Sequence, residues 1–119
     1  YGNLIKDITD YFHKRVSVLY SLGIKDLIID PGFGFAKSVE QNFELLQKLD
    51  YFKALGLPIL AGLSRKSMIW RTLEVSAEDA LNGTTVLNTV ALIKGASILR
   101  VHDVREAREC IKLISKLLP

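Results

Sequence analysis

Hydrophobic residues recur every three or four positions near the start of the chain, a spacing that predicts an amphipathic helix from about Asn3 to Leu22. Gly23 follows at the position where glycine commonly ends a helix. The mainly apolar stretch 26–30 then predicts a short buried strand. This order of helix, terminal glycine, apolar strand and polar loop recurs twice more along the chain.

The second repeat begins with Ser38 and Gln41, whose spacing is that of a capping box. An apolar stripe at helical spacing follows and predicts a helix that ends at Gly56. The next apolar stretch, 58–61, predicts the second strand.

Ser76 opens the third repeat, which predicts a long helix ending at Gly95 and a third strand at 97–101. Asp103 is then in position to cap a last helix that reaches Leu118. The chain therefore alternates four helices with three strands.

Strands that alternate with helices are typical of α/β proteins with parallel sheets. Two folds fit the pattern, a doubly wound sheet and a (β/α)8 barrel. A whole barrel needs about 250 residues, and a doubly wound sheet commonly has about five strands. The chain has 119 residues and is short for both, so the pattern alone leaves the two folds open.

Composition narrows the class of protein. Hydrophobic residues make up 49% of the chain, enough for one packed unit. The net charge of +3 suits an anionic small molecule as well as an ordinary surface, and the basic residues are too scattered for a nucleic-acid interface. Cys110 is the one cysteine, so an internal disulfide is excluded and a reducing cytoplasm is expected.

No apolar run in the sequence is long enough to cross a bilayer, and no leader peptide is visible. The sequence begins with Tyr1 rather than methionine and leads directly into a helix. We therefore expect residues 1–119 to be a fragment of one domain from a longer protein.

Unusual residues follow each predicted strand, at the end where α/β proteins place their functional sites. The first strand is followed by DPGFGFAK. Asp30 closes this strand, where a carboxylate is costly unless it has partners. Gly32 and Gly34 allow a sharp turn and a close approach of the backbone to another group. By itself, Asp-Pro-Gly also fits a simple turn.

The second strand is followed by GLSRKSM, which places Arg65 and Lys66 between serines. If a short helix begins near Lys66, its free N–H groups favour an anion, although a solvated basic loop has the same composition. The third strand ends in RVHD, where Arg100 and His102 are two positions apart and share one face of an extended chain. Both side chains can donate hydrogen bonds to an anion.

Taken together, DPGFGFAK, SRKSM and RVHDV resemble the dihydropteroate synthases, a family of pterin-binding enzymes, in order and in spacing. The resemblance covers essentially the whole chain, and the combination is far more specific than any one motif. It implies that the chain is the C-terminal portion of a (β/α)8 TIM barrel, with three parallel strands alternating with helices. In that family, glycine is frequent at the position of Ala36.

The resemblance also implies a role for each matching residue. Asp30 matches the carboxylate that binds the amide and amino N–H groups of the pterin, and Lys66 matches the lysine that donates to its oxygen and ring-nitrogen edge. Arg100 matches the arginine that lies against the pterin ring, and His102 matches a ligand of the pyrophosphate, which Arg100 also serves. The residues assigned to p-aminobenzoate are Phe35, Ser67 and Arg65.

The implied reaction condenses 6-hydroxymethyl-7,8-dihydropterin diphosphate with p-aminobenzoate and yields 7,8-dihydropteroate and pyrophosphate, a step of folate biosynthesis. No residue is assigned as an acid or base, and Mg²⁺ would accompany the pyrophosphate through a ligand outside this chain. We expect the isolated chain to be inactive. We also expect it to form a homodimer or to self-associate, because an incomplete barrel leaves strand edges unpaired.

Two alternatives stay open. A methyltetrahydrofolate-dependent methyltransferase also binds a pterin in a barrel, but the SRKS and RVHD motifs suit p-aminobenzoate and pyrophosphate, which that enzyme does not handle. The second alternative is a non-catalytic pterin-binding homologue. The retained polar residues of all three motifs argue against a degenerate site.

Overall fold

The computed structural model describes residues 3–119, and within them helices and short strands alternate as the sequence predicts. The fold is mixed α/β. Its elements in chain order are α1 (Leu4–Ser21), α2 (Val39–Gln47), a 3-10 helix (Leu49–Leu55), β1 (Leu60–Ala61), α3 (Ser67–Leu73), a second 3-10 helix (Ala77–Asp79), α4 (Leu81–Ile93), β2 (Ile98–Leu99) and α5 (Val104–Ile114).

The starts of α1 and α2 are fixed by local side-chain caps. Asn3 caps α1, because its side chain accepts a hydrogen bond from the N–H of Lys6. The predicted capping box of α2 is confirmed: Ser38 Oγ accepts from the N–H of Gln41, and the Gln41 side chain accepts from the N–H of Ser38. These bonds satisfy donors that a helix N-terminus otherwise leaves free.

The prediction of one continuous helix up to Gly56 is wrong in its second half. The α-helix ends before Lys48, and a 3-10 helix continues to Leu55. Side chains three residues apart line up in a 3-10 helix, which places both Leu49 and Phe52 fully in the core. Gly56 then ends the segment with a left-handed φ of 69°.

The two strands of the sheet are β1 and β2. They pair in parallel, with Leu60 opposite Ile98 and Ala61 opposite Leu99. The N–H of Arg100 continues the pairing by donating to the carbonyl of Ala61 at 3.1 Å. The predicted parallel order of the second and third segments is therefore confirmed, although each strand is shorter than expected.

The stretch predicted as the first strand, 26–30, does not form a strand of its own. It contributes one parallel bridge, between Ile29 and Ile59. The N–H of Ile29 donates to the carbonyl of Pro58 at 2.9 Å, and the N–H of Leu60 donates to the carbonyl of Ile29 at 2.7 Å. A single bridge lacks the repeated pairing that defines a strand. The expectation of three full strands is corrected to two strands and one bridged segment within residues 3–119.

Side chains alternate between the two faces of this small sheet. Ile29, Ile59 and Ala61 are buried against the helices, whereas Ile28 and Asp30 are exposed on the other face. The described part of the chain is accordingly flat, with extents of 44 × 37 × 21 Å. The main cluster of buried residues consists of Ile5, Phe33, Leu45, Leu46, Leu49, Phe52, Ile59, Ala61, Leu63, Met68, Ile69, Ala80, Ala91 and Ala96.

Cys110 is buried in α5, and its sulfur lies 3.1 Å from Oγ1 of Thr89 in α4. This agrees with the expectation of a small core residue. In the part of the chain that the structure describes, no helix combines the length and apolarity required to cross a membrane.

Candidate functional site

The carboxyl ends of the three parallel segments lie at the same edge of the sheet. Asp30 follows the bridged residue Ile29, Gly62 follows β1, and Arg100 follows β2. A cleft of about 400 Å³ opens beside them. Its lining residues are Gly62, Ser64, Arg65, Lys66, Arg100, Val101 and His102. The structure therefore brings together predicted residues that lie up to 37 positions apart in the sequence, from Arg65 to His102.

Asp30 reaches this cleft through Arg100. Its Oδ2 accepts a hydrogen bond from Arg100 Nη1 at 3.0 Å, and its Oδ1 accepts one from the N–H of Gly32 at 3.0 Å. The Arg100 and Asp30 side chains are 53% and 36% exposed, so the ion pair faces open solvent. The partners that a strand-ending carboxylate requires are thus an arginine of another segment and the backbone of its own turn.

Arg100 lies across Gly62. A Cβ atom at position 62 would lie only 2.9 Å from Cζ of the Arg100 guanidinium, which is closer than two carbons approach without repulsion. The absence of a side chain at Gly62 therefore makes room for Arg100. Gly62 was not among the predicted site residues, although a glycine directly after a predicted strand is a signal for such a role.

The loop after the bridged segment depends on left-handed backbone conformations. The φ angles are 79° at Gly32, 91° at Gly34 and 50° at Ala36. Glycine adopts such angles without a steric penalty, whereas a residue with a Cβ, here Ala36, is disfavoured by roughly 1–2 kcal/mol. This explains why glycine suits the place of Ala36.

Lys37 ties this loop to itself. Its Nζ donates to the carbonyl of Gly32 at 2.7 Å and to the carbonyl of Phe35 at 3.3 Å. Burial lowers the pKa of the Lys37 ammonium group, and the charge of Asp30 partly opposes that change. Lys37 is therefore a structural part of the loop in this conformation.

Asn42 of α2 also binds the loop that contains Gly32 and Gly34. Its side chain is buried, accepts a hydrogen bond from the N–H of Gly34 at 2.8 Å and donates to the carbonyl of Ser38 at 3.0 Å. Asn42 was not among the predicted site residues. The signal that could have identified it is an amide side chain within the buried stripe of an amphipathic helix.

The two phenylalanines of the loop have opposite environments. Phe33 is buried in the core, whereas Phe35 is 67% exposed. Lys66 Nζ lies 5.6 Å from the centroid of the Phe35 ring, a separation typical of a cation–π contact. The structure thus places Phe35 beside Lys66, two residues that were assigned to neighbouring substrates.

The guanidinium group of Arg65 donates hydrogen bonds to other residues of the chain. Its Nε and Nη2 donate to the two carboxylate oxygens of Asp103 at 3.0 and 2.9 Å. Its Nη1 donates to the carbonyls of Ala77 and Glu78 at 2.9 and 2.7 Å. The hydrogen bond between the two side chains raises the pKa of Arg65 and lowers the pKa of the Asp103 carboxyl.

The expectation that Asp103 caps the last helix through its side chain is wrong. Asp103 occupies the N-cap position of α5 but makes no side-chain capping bond. Both of its carboxylate oxygens instead accept from Arg65, 38 positions earlier in the chain. No local pattern in the sequence reveals a pairing over this distance.

His102 and Ser67 complete the set of predicted residues. His102 is an exposed residue of the cleft, and its backbone N–H donates to Oγ of the buried Ser64 at 3.2 Å. Ser67 is half-buried at the start of α3, and Lys66 is the N-cap residue of this helix. The predicted start of a short helix near Lys66 is confirmed. The substrate roles of these residues stay predictions.

Comparisons with known proteins agree with this architecture. Residues 1–102 match the sequence profile of the family described as pterin binding enzyme. The dihydropteroate synthase of Haemophilus influenzae is 44% identical over 115 residues, which cover 95% of this chain and 42% of that protein.

Two solved structures resemble the chain closely. The dihydropteroate synthase of Yersinia pestis superposes with a TM-score of 0.94 at 35% identity, over 98% of this chain and 49% of that one. The enzyme of Coxiella burnetii in complex with pteroic acid gives a TM-score of 0.90 at 40% identity, over 94% of this chain and 42% of that one. The chain spans less than half the length of the curated relatives. It belongs to the pterin binding enzyme family.

Proposed function

We propose that this chain is the C-terminal portion of a dihydropteroate synthase. The whole enzyme condenses 6-hydroxymethyl-7,8-dihydropterin diphosphate with p-aminobenzoate to form 7,8-dihydropteroate and pyrophosphate in folate biosynthesis. One observation carries the proposal beyond family membership: Asp30, Lys66, Arg100 and His102 come together where the parallel segments end. The pteroic acid in the Coxiella burnetii enzyme combines the two groups that such a reaction joins.

The pterin is assigned to Asp30, Lys66 and Arg100. A carboxylate accepts two parallel hydrogen bonds from an amide N–H and a neighbouring amino group, and the Asp30 side chain is 36% exposed and pairs with Arg100 of the cleft. The planar guanidinium of Arg100 lies over Gly62 and can stack on a flat ring. Lys66, across the cleft, donates to the oxygen and ring-nitrogen edge.

The p-aminobenzoate is assigned to Phe35, Ser67 and Arg65. The exposed ring of Phe35 offers an aromatic contact. The hydroxyl of Ser67 at the start of α3 can donate to the carboxylate of this substrate. Arg65 lies two residues before Ser67 and adds positive charge to the same side of the cleft.

The diphosphate is assigned to His102 and Arg100, which flank Val101 in the lining of the cleft. The amine nitrogen of p-aminobenzoate attacks the methylene carbon of the pterin, a C–N bond forms, and the C–O bond to the diphosphate breaks. The amine then loses a proton to solvent. The chain's own residues orient the two substrates and stabilise the departing anion, and none acts as an acid or base.

In the proposed reaction, Mg²⁺ would bind together with the pyrophosphate. Among residues 3–119, no group of three or more histidine, cysteine, aspartate or glutamate side chains is arranged to hold a metal ion. As the resemblance implies, the protein ligand for this ion is assigned to a part of the enzyme outside this chain.

We assign residues 1–119 to a single barrel domain. The face of the sheet that carries Ile28 and Asp30 is exposed, and in a closed barrel further parallel strands would enclose such a face. We also propose that the whole enzyme is a cytoplasmic homodimer. Light scattering and cell fractionation of the full-length gene product test these two points.

The decisive experiment is an activity assay on the full-length gene product that contains this sequence. We expect pyrophosphate release that depends on both the pterin diphosphate and p-aminobenzoate, and the isolated 119-residue chain to show none. A folded full-length protein that makes no dihydropteroate would overturn the proposal. Methyl transfer from methyltetrahydrofolate would replace it with the methyltransferase alternative, and a gene product with the mass of these residues alone would refute the longer chain.

A further inference from the structure

Arg65 stands between residues proposed to bind substrates, yet all three nitrogens of its guanidinium group donate to the protein. Two of its four hydrogen bonds go to the carboxylate of Asp103 in a bidentate arrangement, and two go to the carbonyls of Ala77 and Glu78. The planar fork of arginine matches a carboxylate in this way, and lysine has no equivalent geometry.

The backbone of Arg65 is held as firmly as its side chain. Its φ of 54° lies in the left-handed region, which residues with a Cβ adopt only where their surroundings determine it. The N–H of Arg65 donates to Oγ1 of Thr84 at 3.0 Å, and Thr84 is buried and donates in turn to the carbonyl of Ala80. Arg65 is therefore braced against α4 and the segment before it.

The contact between Arg65 and Asp103 joins two loops that both carry proposed ligands. Arg65 precedes Lys66 in the loop after β1, and Asp103 follows His102 in the loop after β2. A second bond joins the same two loops, from the N–H of His102 to Oγ of Ser64. The Arg65 and Asp103 side chains are only 25% and 21% exposed, so water and salt screen their attraction less than that of a surface pair.

We propose that Arg65 and Asp103 are positioning residues that fix the distance between Lys66 and His102 across the cleft. This inference deepens the proposed function and rests on it for the identity of the substrates. It also changes the role of Arg65, which acts through Asp103 and the two loops rather than as a direct ligand of p-aminobenzoate. The Arg65–Asp103 pair sets the separation between Lys66, which binds the pterin, and His102, which binds the diphosphate.

The test uses Arg65→Gln, Asp103→Asn and the double variant in the full-length gene product. Since Asp103 bonds Arg65 and not a substrate, a positioning role predicts that Asp103→Asn reproduces Arg65→Gln. Each single variant should lower kcat/KM for the pterin diphosphate by about 100-fold, the effect of misplacing a reacting group by roughly 1 Å. The double variant should be no worse than about threefold below the less active single variant, because each single substitution already breaks the Arg65–Asp103 contact.

Two results would overturn the inference. One is a rise in KM for p-aminobenzoate alone in Arg65→Gln with Asp103→Asn close to wild type, which is the behaviour of a direct ligand. The other is multiplication of the two single effects in the double variant. Arg105→Gln is the matched control, since Arg105 is 81% exposed and pairs with its neighbour Glu106; its kinetics should equal those of wild type.

Hydrogen exchange keeps the test independent of folding defects and of the proposed reaction. In the same full-length protein without substrates, the amides of peptides covering 64–67 and 101–103 should exchange faster in both single variants, with those of α1 unchanged. Unchanged exchange in the two loops would refute the coupling even if activity falls. If the wild-type protein makes no dihydropteroate, the proposed function fails, while the exchange result still decides whether Arg65 and Asp103 couple the loops.

Discussion

The substitution Gly62→Ala separates the binding function of the cleft from the stability of the fold. A Cβ at position 62 would lie 2.9 Å from Cζ and 3.2 Å from Nε of Arg100, and Nη2 is closer still. The backbone of Gly62 is outside the left-handed region, so alanine is accepted there without backbone strain. The guanidinium group, at the end of a flexible side chain, is therefore what moves.

The cost to folding should be close to zero. The displaced group loses its contact with Asp30, and an ion pair as exposed as this one contributes about 0–1 kcal/mol to stability. Alanine also restricts the unfolded chain, which stabilises the folded state by about 0.4–1 kcal/mol. The two effects nearly cancel, and the unfolding midpoint should stay within a few degrees of wild type.

The cost to substrate binding should be much larger. A hydrogen bond to a charged group contributes about 1.5–3 kcal/mol, which corresponds to roughly a tenfold to a hundredfold rise in KM for the pterin diphosphate. The assay is pyrophosphate release by the full-length gene product, with thermal unfolding measured on the same samples. KM for p-aminobenzoate should change far less, because Arg100 is assigned to the other substrate.

Gly83→Ala is the matched control with the opposite outcome. A Cβ at Gly83 in α4 would meet Cδ1 of Leu73 at 3.1 Å and press on the buried Ile69. Overpacking costs about 1–3 kcal/mol, and the better helix propensity of alanine returns about 1 kcal/mol, so stability should fall by up to about 2 kcal/mol without a change in KM. An unchanged KM in Gly62→Ala would refute the role given to Arg100, and a loss of about 2 kcal/mol or more in Gly62→Ala would refute the expectation that only the guanidinium group moves.

Three further outcomes are expected. Asp30→Asn should weaken pterin binding by about 2–4 kcal/mol and leave p-aminobenzoate binding nearly intact, because an amide donor then faces the donors of the pterin; calorimetry that finds equal losses for both substrates would contradict the assignment. The hydrogen bond from Arg65 lowers the pKa of the Asp103 carboxyl in the folded state. The contribution of this contact to stability is therefore complete above about pH 4 and is lost as the pH falls through the folded-state pKa. Acid unfolding followed by circular dichroism should depend less on pH in Asp103→Asn than in wild type, and identical acid profiles would argue against this. The isolated chain should dimerise or aggregate in light scattering, since the bridged segment and β2 have free outer edges within the described residues; a monomer at high concentration would be evidence against this expectation.

Much of the site was predictable because its residues follow a local rule. Asp30, Arg100 and the SRKS loop each come directly after an apolar stretch, and parallel strands bring such positions to one edge. The side chains need no long-range information to be noticed, only their place after a strand. Which substrate each one contacts was inferred from the resemblance and stays a prediction.

Other parts of the site have no local signal. Asn42, Gly62 and the pairing of Arg65 with Asp103 depend on segments that meet only when the chain folds. Asp103 illustrates the problem, because its place before α5 is that of a capping residue, and a nearby guanidinium group changes what its carboxylate binds. Contacts of this kind are decided by the competition between local and distant partners.

By itself, the sequence determined the alternation of helices and parallel segments, the capping box of α2 and the positions where chemistry gathers, because hydrophobic periodicity, caps and glycines act within a few residues. The tertiary structure decided how far each strand extends, which arginine holds which aspartate and where a missing side chain makes room for another. These features depend on distances between segments, and distances between segments are set by packing rather than by any local pattern.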